Sequence, residues 1–195
     1  MMINTSVRFQ DFLKKFPLLL PTIAKLNEAR IDWLIGGSAC LFLLGNTRMP
    51  DDVDIFVPDH QHDKADEVFG ITSFFYNSNT EHVRNSNPYG SHALQLTSSL
   101  QLNLDMQYHV SVTEAVLQKK IAVQHEDTVL YLLPPEDVLL IKALLQRGPE
   151  VGKHDAEDIK NFMKIYTIDR AYLTQRIQEL GAAQRVGSIF ISAYA

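Results

Sequence analysis

Two glycines, Gly36 and Gly37, interrupt an apolar stretch that runs from Ile31 to Leu44. The residues before them, Ile31-Asp32-Trp33-Leu34-Ile35, read as a short strand. The residues after them, beginning at Ser38 and covering 39–44, read as a helix that stops at Gly45-Asn46. The pair therefore marks a strand-to-helix turn, where backbone without Cβ atoms can pass close to a ligand. Shortly afterwards comes Asp52-Val53-Asp54-Ile55-Phe56-Val57, a second strand closed by Pro58. Alternate side chains of a strand share a face, so Asp52 and Asp54 project together while Val53, Ile55 and Val57 enter the core.

Two carboxylates side by side on a half-buried strand repel each other and cost stability unless a cation compensates. Asp105 is the only acid in an alternating run over residues 100–107, with Leu100, Leu102, Leu104 and Met106 on one face. If that strand lies beside 53–57, Asp105 joins the first two acids. Mg²⁺ takes oxygen ligands and commonly uses one or two carboxylates plus substrate phosphates. Three carboxylates suit two Mg²⁺ ions, with Mn²⁺ as an alternative, at a spacing of roughly 3.5–4 Å. Gly36-Gly37 lets backbone approach a phosphate, and the helix from Ser38 offers free N–H groups, its positive dipole end and a hydroxyl.

Elsewhere the pattern predicts helix over residues 7–30 with a break at Pro17 or Pro21, and a helix to about residue 68 capped by Asp59. Residues 71–76 and 93–97 read as strands, with 77–91 as a long loop or irregular hairpin between them. Residues 120–123 and 129–132 read as a hairpin. After Pro134-Pro135 the chain reads as helices over 136–146, 155–166, 169–180 and 182–191. The expected fold class is mixed α/β (α+β), with a sheet flanked by helices and a C-terminal helical bundle. The expected domains are 1–133 and 134–195.

Composition excludes several classes. A net charge of −5 argues against a generic nucleic-acid coat. The single cysteine, Cys40, cannot form an internal disulfide, and without a CxxC pair there is no finger-type zinc site. Cys40 reads as a small buried hydrophobe. No apolar run is long enough to cross a bilayer, so the expected setting is the cytoplasm with no membrane partner. There is no Gxxxx-Gly-Lys-Ser/Thr loop and no kinase-type glycine loop, which ranks other phosphotransferases below.

The order strand, Gly36-Gly37-Ser38, short helix, Arg48, then Asp52-Val53-Asp54 over residues 33–57 resembles the nucleotidyltransferase fold superfamily. The long gap between the glycines and the acids is similar to the AbiEii-type toxins and small antibiotic nucleotidyltransferases. A second block, Pro134-Pro135 to Arg147 followed by Lys153-His154-Asp155-Ala156-Glu157-Asp158-Ile159, resembles the helical segment that follows their catalytic sheet. The resemblance implies that Lys142 faces the triphosphate. Its basic position before the first acid of the second block is His154 here, with Lys153 one place earlier.

The activity implied is transfer of a nucleoside monophosphate from an NTP to a hydroxyl acceptor, with Asp52, Asp54 and Asp105 as metal ligands. Gly36, Gly37, Ser38, Arg48 and Lys142 would hold the nucleotide. The acceptor stays open between tRNA, a protein and a small molecule such as an antibiotic, and an antitoxin is an implied partner. The alternative is a catalytically weak nucleotide-binding or protein-interaction module of the same fold.

Plainer readings stand beside these. Lys142 could be a solvated lysine with its stem on an amphipathic helix. Asp155 and Asp158 could serve only the helix dipole. Arg48 could brace its loop. His60-x-His62 reads as surface loop. Trp33, Tyr76 and the Phe74-Phe75 pair read as core, with an acceptor pocket as the alternative for the two phenylalanines.

Overall fold

A computed structural model describes residues 6–102 and 107–192. Helices α1 (Ser6–Lys15) and α2 (Leu19–Glu28) are separated at Pro17, and Pro21 falls in the first turn of α2. There its missing N–H costs nothing. Strand β1 (Leu34–Ile35) is followed by α3 (Gly37–Leu43), β2 (Val53–Phe56) and α4 (His62–Phe69). Then come β3 (Phe74–Asn77), β4 (Glu81–Ser86), β5 (Leu94–Leu102), β6 (Tyr108–Val110), α5 (Glu114–Gln118), β7 (Ile121–His125) and β8 (Thr128–Leu132). The chain closes with α6 (Pro135–Leu145), α7 (Asp155–Ile165), α8 (Arg170–Glu179) and α9 (Ala183–Ser192).

Seven strands form one path, β3-β4-β5-β2-β1-β8-β7, and β6 pairs with β5. The sheet is mixed: β2 runs parallel to β5 and β1 parallel to β8, while the other pairs are antiparallel. Val53 and Ile55 are fully buried on one face of β2, as their alternation requires. Helix α6 is apolar almost all round and is buried along most of its length, as expected of a helix enclosed on several sides. It packs on α3, α7, α8 and α9, and the apolar core is continuous from the sheet into these helices. Polar staples fix α8 to α6: Tyr172 Oη donates to Asp137 Oδ2 at 2.6 Å and Arg176 Nε to Asp137 Oδ1 at 2.7 Å.

Several expectations change. The strand at 31–35 shortens to Leu34–Ile35 because the earlier backbone is bound elsewhere. Ile31 N donates to Leu26 O, and Asp32 N to Gln61 Oε1 at 2.7 Å. Asp59 opens a 3₁₀ turn (Asp59–Gln61), so the helix starts later, at His62. The stretch 77–91 contains strand β4, the hairpin partner of β3.

The two strands expected at 93–97 and 100–107 are largely one, β5, and by Tyr108 the chain has reversed to pair with Leu102. Leu94, Leu96, Leu100 and Leu102 are in phase and all buried. Polar Ser98 sits between them on the same face, also buried, with its Oγ 2.6 Å from His62 Nδ1. His62 Nε2 lies 2.7 Å from Ser86 Oγ, so His62 is a satisfied interior group and not a surface residue.

Candidate active site

The turn between β1 and α3 is bound to β2. Gly36 N donates to Asp54 O at 2.9 Å. A Cβ on Gly36 would run into the Phe56 ring and lie 2.8 Å from Leu133 Cδ1. Gly36 is thus required by packing behind the turn. Gly37 has φ +57, and a Cβ there would lie 2.9 Å from Asp54 Oδ2. Both the left-handed backbone and the close approach of the carboxylate call for glycine.

Asp52, the residue just before β2, and Asp54 on it line the same cavity, and both are half-buried. Burial, and secondly the charge of Asp52, push the Asp54 carboxyl up to about 7, although Lys153 and Arg147 pull it back. The nearest cation to Asp52 is weakly placed: Lys153 Nζ stands 3.9 Å from Oδ2, and both side chains are well solvated. Asp51 is exposed at the cavity's rim and paired with Lys15 at 3.2 Å.

Facing these acids is a dense ionic network. Lys142 is buried, with Nζ 3.1 Å from Asp155 Oδ1 and 2.9 Å from Asp158 Oδ2. Arg48 Nη2 donates to Asp158 Oδ2 at 2.6 Å and to Ser38 Oγ at 3.0 Å. The Ser38 hydroxyl also accepts from Lys142 Nζ at 3.3 Å and donates to Asp158 Oδ2 at 3.3 Å. Arg147 Nε donates to Asp155 Oδ2 at 3.0 Å and its Nη1 to Glu81 Oε1 at 3.1 Å. Burial alone would raise the Asp158 carboxyl, but the hydrogen bond from Arg48 and the charge of Lys142 hold it below the usual range.

Lys142 is therefore an interior cation and not a solvated one. Asp155 and Asp158 do start α7, but their buried carboxylates bind three cations as well as facing the helix dipole. Sequence reading missed this role. The available signal was their i,i+3 spacing, which puts both on one face of α7, together with a lone lysine on the apolar helix α6.

A single cavity of about 390 Å³ joins these groups. Gly37, Ser38, Arg48, Asp52, Asp54 and Lys142 line it, whereas Gly36 does not. Phe74 and Tyr76 line it as well. They and Phe75 are exposed at 37%, 48% and 53%, so the core reading of these three residues fails. Trp33 is buried as expected.

Asp105 lies outside the described residues. On β5 the register partner of Asp54 is Gln95, which also lines the cavity. Among the described residues no group of three or more His, Cys, Asp or Glu side chains gathers to hold a metal. Asp52 and Asp54 supply a pair of oxygen donors with an unmet need for positive charge, which fits a hard divalent cation bound through two carboxylates and substrate oxygens.

No family model and no curated protein matches the sequence. Among solved structures, the chain is similar to a provisionally assigned nucleotidyltransferase of Thermotoga maritima. The TM-score is 0.51 at 13% identity, over 65% of this chain and 81% of that one. It also aligns with an antigenic nucleotidyltransferase-like protein of Paracoccidioides brasiliensis, with TM-score 0.46 and 17% identity over 93% and 92% of the two chains. The antibiotic-resistance factor ANT(2'')-Ia aligns with TM-score 0.49 and 15% identity over 91% and 95%. The first of these likenesses establishes the architecture: the chain has the nucleotidyltransferase fold. No helix among the described residues is long and apolar enough to cross a membrane.

Proposed function

We propose that this protein is a metal-dependent nucleotidyltransferase that moves a nucleoside monophosphate from an NTP to an acceptor hydroxyl. The acceptor oxygen bonds to the α-phosphorus, the bond to the β-phosphate breaks, and pyrophosphate leaves. The observation that carries this reading is one cavity shared by the Asp52–Asp54 pair, the Gly37-Ser38 turn and the cations Arg48 and Lys142.

Asp52 and Asp54, with Asp105 as the expected third ligand, would hold Mg²⁺, or Mn²⁺ in its place. When bound, the ion neutralises triphosphate charge and lowers the pKa of the attacking hydroxyl. The chain's own groups bind and orient the nucleotide. Arg48 and Lys142 supply positive charge at the phosphates, and Ser38 and the Gly37 turn supply close polar contacts. Asp105 is assigned the acceptor's proton. The acceptor remains open between tRNA, a protein and a small molecule.

One observation favours a second reading, a nucleotide-binding or interaction module with little catalysis: the cations that would meet phosphate are already bound by Asp155 and Asp158. Calorimetry separates the readings. The enzyme reading expects NTP binding that requires Mg²⁺ and disappears in Asp52→Ala/Asp54→Ala. Metal-independent NTP binding that survives the double substitution supports the module. No NTP binding by the wild-type protein at any Mg²⁺ concentration overturns the enzyme reading.

A further inference from the structure

Among the described residues β3 is an edge strand of the sheet, and three consecutive aromatics, Phe74, Phe75 and Tyr76, are exposed on it. Single exposed apolar residues are ordinary, but a contiguous group on an unpaired edge is not. The three divide by face. Phe75 lies against His82, ring centroids 4.7 Å apart and 16° from parallel. Phe74 and Tyr76, at alternate positions, pair in register with Asn85 and Val83 of β4 and line the same cavity as Asp52 and Asp54. On the sheet path β3 stands three places from β2, which corresponds to roughly 14 Å across the strands. The cavity thus has two kinds of wall, one ionic, from β2, α3, α6 and α7, and one aromatic, from β3.

We propose that Phe74 and Tyr76 form a stacking subsite for the planar base of the nucleotide whose phosphates occupy the ionic wall. This rests on the nucleotide-binding reading above and adds the place and chemistry of base recognition. A nucleotide is itself a charged chain ending in a flat, largely apolar ring, and the cavity presents complementary surfaces in one continuous volume of about 390 Å³, within the size range of small-molecule sites. The rings are large, stiff and already exposed to the cavity, so binding would bury apolar area with little side-chain ordering. Asn85 and Gln95 also line this cavity. The Thr97 hydroxyl donates to Asn85 Oδ1 at 3.0 Å and Gln95 Nε2 to His92 O at 3.2 Å, which steadies two carboxamides within reach of a ring edge. Stacking accepts every base because each has a π face. The subsite therefore binds all four NTPs, and the amides supply what discrimination there is.

The test is calorimetry with Mg²⁺ on wild type, Phe74→Ala/Tyr76→Ala and Tyr76→Phe, using ATP, CTP, GTP, UTP and inorganic tripolyphosphate as probes. The double variant is expected to weaken NTP binding about tenfold or more while leaving tripolyphosphate unchanged, and Tyr76→Phe is expected to bind as wild type. Unchanged NTP binding in the double variant overturns the stacking subsite and leaves the nucleotide-binding reading intact. Equal weakening for NTPs and tripolyphosphate also overturns it, because the loss is then not at the ring. If wild type binds none of the NTPs, the nucleotide-binding reading fails and the subsite with it.

Discussion

Two acid pairs lie at the same site and are treated in opposite ways. Asp155 and Asp158, on α7, are buried and surrounded by Lys142, Arg48 and Arg147 at salt-bridge distance. Asp52 and Asp54, at the start of β2, have among the described residues one cation at salt-bridge distance, Lys153, 3.9 Å from Asp52. The contrast appears in the protons. The cations around Asp158 overcome its burial and hold it ionised, whereas burial and Asp52 push Asp54 up to about 7. An acid pair compensated from within serves to hold other side chains. A pair without such compensation stores an unfavourable charge that an external cation can relieve.

The largest effect is expected at Asp158. Asp158→Ala leaves Lys142 buried with one partner fewer and takes the carboxylate from Arg48, and losing one member of a buried ion pair costs about 3–5 kcal/mol. Urea unfolding should show this as a lower midpoint at unchanged slope. A loss below about 1 kcal/mol would mean the network is no more than a solvated surface cluster.

Asp54→Asn should act in the opposite direction and stabilise the metal-free protein at pH 8, by about 1–3 kcal/mol. The sign follows from the folded-state pKa, which lies above the unfolded value. Wild-type stability is full while Asp54 is protonated in both states and declines as pH rises from about 4 to about 7. The Asn variant lacks that decline. Asp158 runs the other way: its folded pKa is depressed, so its contribution is present above the unfolded value and is lost as pH falls below about 4. Unfolding free energies at several pH values for the two variants would expose these opposite slopes, and parallel profiles would refute the contrast.

Gly37→Ala sharpens the same point from the side of the turn. The left-handed backbone and the contact with Asp54 Oδ2 should together cost about 1–2 kcal/mol. The smallest effect is expected at Lys153→Ala, within about 0.5 kcal/mol, because its ion pair with Asp52 is long and solvated. A larger loss there would show that Asp52 is compensated after all.

How much of this was legible in the sequence depends on whether the signal was local. The Gly36-Gly37-Ser38 turn, the convergence of Asp52 and Asp54, and the C-terminal helices follow from spacing and turn chemistry alone, and the structure has them. Strand β5 was read as two because Ser98 breaks the apolar rhythm, and only its contact with buried His62 explains a serine there. Strand β4, Glu81-His82-Val83-Arg84-Asn85-Ser86, looked like loop because its polar side chains find partners such as Thr97, Asp66 and Asp63, residues distant in the chain. The α7 acids and Lys142 met the same difficulty, since no local pattern reveals which carboxylate a lysine on another helix will meet. Residue type points Phe74 and Tyr76 to the core, with a pocket as the alternative for Phe74, and the edge position of β3 exposes both.

Taken together, these contrasts describe a β2 acid pair held ready for a cation. The most direct test is the melting temperature at pH 8 of wild type and Asp54→Asn, each in chelator and in millimolar Mg²⁺. Wild type is expected to melt lower than the variant in chelator and to gain several degrees with Mg²⁺, while the variant does not respond. If Asp54→Asn melts below wild type in chelator, and Mg²⁺ raises both proteins equally or neither, Asp54 is an ordinary structural acid and the claim is contradicted.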